Sequence, residues 1–197
     1  MKIYDISQEV FGCAVYPGDP APEKRILCSM NDGALYNLTA ISMCAHNGTH
    51  VDAPFHFIEG GDTVDEIELS KTVGYAYVAE HEGIIGREDA ESILRKAIKV
   101  NSEAAKRILV KGKATLSLEG AGVFSSAGIW LFGNESQTVG PEDSPMKVHL
   151  ELLGSGIVLL EGIRLGDVPE GEYFLSAAPL SLGGSDGAPC RAILIKL

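Results

Sequence analysis

The chain has 197 residues, of which 45% are hydrophobic and 22% charged, the composition of a folded globular protein. This length predicts a single domain over residues 1–197. The net charge of −11 argues against nucleic-acid binding and against attachment to acidic membranes. No apolar run approaches the ~20 residues that span a bilayer.

The cysteines and the first residues favour a cytoplasmic protein. Cys13, Cys28, Cys44 and Cys190 are scattered along the chain without a Cys-x-x-Cys pair, which favours reduced thiols. Asp5 stands where a signal peptide would begin its apolar stretch.

Helical patterns follow an irregular first segment. Residues 12–22 are rich in proline and glycine and predict turns and extended backbone. An apolar stripe at spacing i, i+3, i+4, i+7 and i+8 then predicts an amphipathic helix. The stripe consists of Ala90, Ile93, Leu94, Ala97 and Ile98. Two further helices are predicted over residues 118–127 and about 145–153.

Short apolar runs between these helices predict buried strands. They cover residues 129–132, 157–160 and 192–195, and each is too short for a helix and bounded by glycine or charge. Strands interleaved with helices indicate an α/β or α+β fold.

The segment from His46 to His56 carries the chemistry. It holds three of the five histidines of the chain and an aspartate, all at even spacing. A straight strand would place positions 46 and 50 about 13 Å apart, whereas one metal ion needs its ligand atoms about 2.0–2.2 Å away. The backbone must therefore bend between His46 and His50, and Gly48 is the residue where it can.

A helical arrangement, with His46 and His50 on one face as in a zincin, is excluded by Gly48, Thr49 and Pro54 and by the lack of a glutamate beside the first histidine. Two histidines with an aspartate form a ligand set typical of a catalytic metal. Zinc, manganese and iron are all compatible with these ligands.

The pattern His-x-Gly-Thr-His-x-Asp-x-Pro-x-His, complete at residues 46–56, resembles the signature of the metal-dependent cyclase superfamily. That superfamily includes bacterial kynurenine formamidase (arylformamidase) and isatin hydrolase. The segment Tyr16–Pro20 resembles its N-terminal substrate loop. The segment Ser185–Ala192 resembles its Asp-Gly-x-Pro-x-Arg-Ala ending.

The resemblance assigns roles to individual residues. The first divalent metal, expected to be zinc with manganese as the alternative, would be bound by His46, His50 and Asp52. His56 would be the catalytic acid and base, and Tyr16 would contact the substrate. A second metal, bound by the shared aspartate and a His-Glu pair at a spacing of twelve residues, is common in the family. His149 and Glu161 have that spacing. One or two metals per chain are therefore expected. His81 has no place in these patterns and is expected at the surface.

The resemblance also implies a fold and an assembly. The fold is a swivelling β/β/α domain of the α/β class, with a mixed sheet and flanking helices. The expected assembly is a homodimer or homotetramer in which a neighbour's N-terminal loop completes the pocket. The expected partner is a small-molecule substrate.

The implied activity is hydrolysis of small amides, such as N-formylkynurenine to kynurenine and formate. One alternative is hydrolysis of a cyclic amide or lactone, as in isatin hydrolase. Another is a metal-bearing binding protein without turnover. Residues 133–138 permit the latter, since they read Gly-Asn-Glu-Ser-Gln-Thr where the family commonly has Gly-x-Asp-x-x-Ser.

Overall fold

The computed structural model describes residues 1–141 and 144–196. Thirteen strands lie within these ranges: β1 (Lys2–Asp5), β2 (Glu23–Cys28), β3 (Leu38–Ser42), β4 (His50–Asp52), β5 (Val73–Glu80), β6 (Gly83–Ile85), β7 (Arg107–Lys111), β8 (Ala114–Leu116), β9 (Leu131–Asn134), β10 (Val158–Glu161), β11 (Gly171–Ser176), β12 (Gly187–Pro189) and β13 (Ile193–Lys196). The same ranges contain three α-helices: α1 (Arg87–Val100), α2 (Leu118–Ala127) and α3 (Met146–Gly154).

Nine of the strands form one mixed sheet in the order β1-β13-β11-β5-β7-β9-β10-β4-β12. The central strands β5, β7, β9 and β10 run parallel, and every other neighbouring pair is antiparallel. Two smaller sheets stand apart from it, the antiparallel hairpin β2–β3 and the parallel pair β6–β8. This is the mixed α/β fold that the sequence predicts.

The sheet is apolar on both faces because alternate residues of its central strands belong to two different cores. On β7, Ile108 and Val110 pack beneath the helices, whereas Leu109 lies in the second core. That second core joins residues from strands far apart in the sheet, including Val51 on β4 and Leu194 on β13. The sheet therefore curls over one of its own faces, while α1, α2 and α3 cover the other.

The three predicted helices are confirmed. Helix α1 buries four members of the predicted stripe, but the fifth, Ile98, is exposed near its end. The side chain of Ser117 accepts a hydrogen bond from the amide of Gly120 and fixes the start of α2. Helices α2 and α3 span residues 118–127 and 146–154.

The predicted strands are confirmed with shifted ends. The run at residues 129–132 begins its strand only at Leu131, because Ile129 and Trp130 complete the turn after α2. There the amide of Trp130 donates to the carbonyl of Lys106. The other two runs correspond to β10 and β13, each one residue later than predicted. The four cysteines are free thiols.

Among the described residues, no helix combines the length and the apolar character needed to cross a membrane.

Strand β4 carries the middle of the metal motif and lies between β10 and β12. Its register places His50 opposite Glu161 on β10 and Asp52 opposite Gly187 on β12. Residues more than one hundred positions apart are therefore held within one strand spacing of the motif.

The turn after β10 ties the motif to the N-terminal segment. The carbonyl of Gly162 accepts hydrogen bonds from the hydroxyl of Thr49 and from the side-chain amide of Gln8. Gly162 itself has φ +67°, and a Cβ atom there would overlap the carbonyl oxygen of Gly48 and the side-chain amide of Gln137. Only glycine fits this position.

We expect Gly162→Ala to destabilise the protein by at least about 2 kcal/mol, because it adds the left-handed backbone penalty to a clash with the Gly48 carbonyl. Urea unfolding measures the effect. Gly122→Ala is the matched control: this position lies within α2, and a Cβ there meets nothing within 4 Å. That variant should be about 0.4–1 kcal/mol more stable than the wild type. Equal unfolding midpoints for the two variants would contradict the expectation.

Candidate metal centre

The bend predicted in the motif is present. Gly48 has φ +67° and turns the chain between His46 and His50, whose ring centroids lie 5.1 Å apart. The Oδ1 atom of Asp52 lies 2.8 Å from Nδ1 of His46 and 3.3 Å from Nε2 of His50. One carboxylate oxygen therefore faces both histidines, as expected for three ligands around a common point.

The pair predicted from its twelve-residue spacing meets the same carboxylate from the other side. Nε2 of His149, on α3, lies 3.2 Å from Oε1 of Glu161 and 3.8 Å from Oδ2 of Asp52. The other Glu161 oxygen lies 3.5 Å from Nε2 of His50. Asp52 thus stands between two groups of ligand-type side chains and offers one oxygen to each.

The residues present fit divalent metal ions. In each group, one potential ligand atom per residue lies within 4.8 Å of the others. Asp52 is 1% exposed, and its Oδ2 atom has no hydrogen-bond partner among the described residues. A buried carboxylate oxygen without a donor is costly, and a cation removes that cost. Imidazole nitrogens with carboxylate oxygens are the ligands that zinc and manganese accept.

Backbone carbonyls orient two of the histidine rings. Nδ1 of His50 lies 3.0 Å from the carbonyl oxygen of Gly48, and Nδ1 of His149 lies 3.0 Å from that of Pro145. A carbonyl only accepts, so each Nδ1 carries a hydrogen. The Nε2 atoms are thereby turned towards the carboxylates, which is how proteins orient metal-binding histidines.

Without a metal, protons neutralise the buried carboxylates. Burial lowers the pKa of His46, but its hydrogen bond with Asp52 and the Asp52 charge outweigh burial and raise it to about 8. Burial likewise opposes the hydrogen bonds with Asp52 and Glu161 that raise the pKa of His50 to about 10. The pKa of His149 is also raised, chiefly by Glu161 against burial. Burial raises the pKa of Asp52, but the two motif histidines hold it well below its usual range.

His56 stands beside this cluster with a different surrounding. It lies at the end of a short 3-10 helix, Pro54–His56, and its ring stacks on His46 at a centroid distance of 4.1 Å. Its Nδ1 atom lies 3.1 Å from Oδ2 of Asp186, whereas its Nε2 atom has no hydrogen-bond partner among the described residues. His56 is therefore placed next to the candidate ligands with one ring nitrogen free.

Asp186 is not among the residues that the sequence predicts for this site. This residue precedes β12, and its Oδ2 atom also lies 2.9 Å from Nε2 of His46. Asp186 lies within the C-terminal stretch that resembles the family ending, and this resemblance is the signal from which it could have been predicted. By contrast, His81 lies outside the cluster, half-buried at the end of β5, with its Nε2 atom facing the carbonyl of Ile84.

A cavity of about 260 Å³ opens over the histidines. Its other lining residues are Tyr16, Asp19, Phe57, Gln137, Thr138, Pro145 and Glu161. Tyr16, Gln137 and Thr138 also line a neighbouring cavity of about 460 Å³ between residues 14–17 and 135–138. The predicted substrate loop thus forms one wall of the space next to the candidate metal centre.

The segment at residues 133–138, which departs from the family pattern, supports this wall. The Glu135 carboxylate accepts hydrogen bonds from the amides of Gly112 (2.7 Å) and Leu165 (2.8 Å). The side-chain amide of Gln137 donates to the carbonyl of Gly48 at 3.1 Å. Gln137 therefore supports the motif at Gly48, whereas Glu135 joins the turn at Gly112 to the segment at Leu165.

Comparison with known proteins identifies the family of the chain. The sequence profile of the family described as "Putative cyclase" matches residues 4–140. The chain belongs to the cyclase family. A curated cyclase relative, kynurenine formamidase from Salinibacter ruber, is 34% identical over 98% of this chain and 97% of its own length.

Solved structures show the same cyclase fold. A structure described as a predicted metal-dependent hydrolase from Bacillus stearothermophilus is 28% identical, with a TM-score of 0.78, covering 98% of this chain and 97% of that one. Isatin hydrolase A from Labrenzia aggregata, at 21% identity, shares the fold with a TM-score of 0.78 over 100% of this chain and 94% of its own.

We expect zinc binding to the metal-free cyclase to release protons and to tighten as the pH rises. His46 and His50 have raised pKa values of about 8 and 10, so both carry a proton near pH 7 that the metal must displace. The apparent affinity should therefore increase between about pH 6 and pH 8. Calorimetry in buffers of different ionisation enthalpy measures the released protons.

The control for proton release is His81→Ala, because His81 lies outside the cluster. This variant should release as many protons as the wild type, whereas His46→Ala should release fewer. A zinc affinity that stays constant over the same pH range would show that these histidines do not bind the metal.

Proposed function

We propose that this protein is a metal-dependent hydrolase of small aryl formamides that converts N-formylkynurenine to kynurenine and formate. The observation that carries the proposal is a histidine with a free ring nitrogen beside two ligand groups that share one buried carboxylate. The near full-length similarity to kynurenine formamidase supports the choice of substrate.

The metal would be held by His46, His50, Asp52, His149 and Glu161. Zinc is the expected ion and manganese the alternative, with one or two per chain. When bound, such an ion lowers the pKa of a coordinated water towards 7 and withdraws charge from a carbonyl oxygen.

His56 would move the proton. Its free Nε2 atom accepts a proton from the attacking water as the new C–O bond forms at the formyl carbon. The same atom then gives that proton to the amide nitrogen as the C–N bond breaks. The products are a neutral arylamine and formic acid, which ionises to formate by releasing a proton to solvent. Without this proton the amine would have to depart as a poor anionic leaving group.

The cavity matches an aryl amide that carries an amino-acid tail. Phe57, Tyr16 and Pro145 offer apolar surface for an aromatic ring. Asp19 lies in the same wall and offers a negative charge to an ammonium group. The neighbouring cavity beside Tyr16 gives room for the part of the substrate remote from the formyl group.

Two other activities compete with this proposal. Hydrolysis of a cyclic amide or lactone would use the same metal ligands and the same histidine, and isatin hydrolase A shares the fold. A binding protein without turnover has no need of a histidine with a free nitrogen beside its ligands. The placement of His56 therefore favours an enzyme.

We further propose that the protein acts in the cytoplasm on a small-molecule substrate, as a homodimer or homotetramer. The hairpin β2–β3 supports the assembly, because a two-stranded sheet is marginally stable alone. Apolar side chains on it are exposed, including Ile26 (66%), Leu38 (44%) and Ile41 (62%). A second copy of the chain is the occupant that would cover them.

The direct test measures hydrolysis of N-formylkynurenine by the zinc-loaded protein and compares it with hydrolysis of isatin. We expect turnover of the formamide, and His56→Asn should retain the metal but lower kcat about 10²–10⁴-fold, the usual contribution of a general acid and base. The loss should be smaller for formanilides whose amine is more acidic, because these need less help to depart.

The matched control is His81→Asn, which should behave as the wild type. Turnover of isatin alone would support the cyclic-amide alternative. Loss of the metal from His56→Asn would make His56 a ligand, and full activity of that variant would remove its assigned role.

For the assembly, we expect Ile41→Lys to convert the oligomer to monomers, because it places a charge in the covered face of the hairpin. Light scattering coupled to gel filtration measures the mass. Ile84→Lys is the matched control, since Ile84 is 65% exposed on β6, outside the hairpin. A monomeric wild type, or the same mass for both variants, would contradict the proposed interface.

A further inference from the structure

Asp186 is held in place by backbone contacts to the end of the metal motif. Its carbonyl oxygen accepts a hydrogen bond from the amide of Ala53 at 2.9 Å, and the carbonyl of Ser185 accepts one from Val64 at 2.8 Å. On the other side of the turn, the carboxylate of Asp65 accepts a hydrogen bond from the amide of Gly184 at 2.9 Å. The backbone of Asp186 is therefore held at a defined position relative to the motif.

One oxygen of Asp186 contacts two histidines with different proposed roles. Oδ2 lies 2.9 Å from Nε2 of His46, a proposed metal ligand, and 3.1 Å from Nδ1 of His56, the proposed proton carrier. An ionised carboxylate only accepts hydrogen bonds, and one of its oxygens has room for two. Both ring nitrogens that face Asp186 therefore carry hydrogens.

We propose that Asp186 is a positioning residue that fixes the tautomers of His46 and His56 with a single carboxylate oxygen. His56, protonated at Nδ1, presents the lone pair of Nε2 to the cavity, where a proton must be accepted. His46, protonated at Nε2, presents Nδ1 towards Asp52 and the metal. This inference rests on the proposed function, and it adds a residue that joins the metal ligands to the proton carrier.

The surroundings of Asp186 favour hydrogen bonding over metal binding. Its side chain is 42% exposed, whereas those of Asp52 and Glu161 are 1% and 3% exposed. The three ligand-type side chains of His46, His56 and Asp186 are close enough to hold an ion by themselves. If they did, however, His56 would bind that ion through Nδ1 and carry its hydrogen on Nε2, where it could not accept a proton, so the two arrangements predict different behaviour.

Gly187 keeps the His46 ring against this carboxylate. A Cβ atom at position 187 would lie 2.8 Å from Cε1 of His46, so only glycine allows the ring to lie this close to β12. The dipeptide Asp186-Gly187 therefore supplies both the acceptor and the space for the ring that donates to it.

The experiment compares Asp186→Ala with Asp167→Ala, which also removes a carboxylate but an exposed one in the turn between β10 and β11, outside the site. At saturating zinc, Asp186→Ala should lower kcat about 10²–10³-fold with KM changed less than about threefold. In a His56→Asn background, Asp186→Ala should lower kcat by less than a further factor of about three, because the two residues act as a unit. Asp167→Ala should match the wild type throughout.

Two further readouts do not depend on turnover. Zinc affinity of Asp186→Ala should fall about 10–100-fold at unchanged stoichiometry, the usual effect of losing a partner of a ligating histidine. Long-range ¹H–¹⁵N spectra of the zinc-loaded protein should show His56 protonated at Nδ1 in the wild type. In Asp186→Ala they should show the Nε2-protonated tautomer or a mixture. His56→Asn assigns the signal.

Each outcome decides the proposal. A lower metal stoichiometry in Asp186→Ala would make Asp186 a ligand, and an unchanged His56 tautomer or additive kcat losses would leave it without a positioning role. Each of these three results would overturn the inference even if the wild type hydrolyses formamides. An inactive wild type whose His56 tautomer nevertheless depends on Asp186 would overturn the proposed function and leave the positioning role standing.

Discussion

The buried carboxylate of Asp52 is the charge around which the site is organised. A buried anion is strongly unfavourable unless positive groups surround it, and His46 and His50 lie against one of its oxygens. Its second oxygen faces His149 at 3.8 Å without a hydrogen bond among the described residues. Protons on the histidines supply the balancing charge in the absence of metal, which is why their pKa values are raised. A dication would replace those protons within the same arrangement of side chains.

The sheet holds these charged side chains in position before a metal binds. Strand β4 is paired on both sides, so its backbone positions are set by β10 and β12. The register with β10 brings Glu161 to His50, and the register with β12 brings the Asp186 turn to Asp52. Side chains on paired strands lose little further freedom when they bind a metal, and this preorganisation favours tight and specific coordination. The Gln137 side chain supports the same motif by donating to the carbonyl of Gly48.

Local features of this arrangement were accessible from the sequence. The bend at Gly48 followed from the even spacing of the motif, and α1 followed from its apolar stripe, because both depend on neighbours within a few residues. Asp186 was not accessible in this way. Its contacts with His46 and His56 span 140 and 130 positions, and they exist only because β12 pairs with β4. The late start of β9 at Leu131 has a similar origin, since the turn after α2 is fixed by a contact with Lys106.

The candidate metal ligands and the wall of the proposed substrate pocket come from different parts of the chain, so chemistry and specificity would depend on different residues. The candidate ligands lie on β4, α3, β10 and the bend before β4, whereas the pocket wall comes from residues 14–19 and 135–138.

In that wall the side-chain amide of Gln137 already makes two hydrogen bonds: its nitrogen donates to the carbonyl of Gly48, and its oxygen accepts from Gln8. These two hydrogen bonds tie Gln137 to the motif and to the N-terminal segment. The hydroxyl of Thr138 has no hydrogen-bond partner among the described residues, and Tyr16 lines both cavities. We propose that Tyr16, Asp19 and Thr138 provide polar recognition of the substrate at this wall, so that changes there would alter substrate preference while leaving the candidate metal ligands and His56 in place.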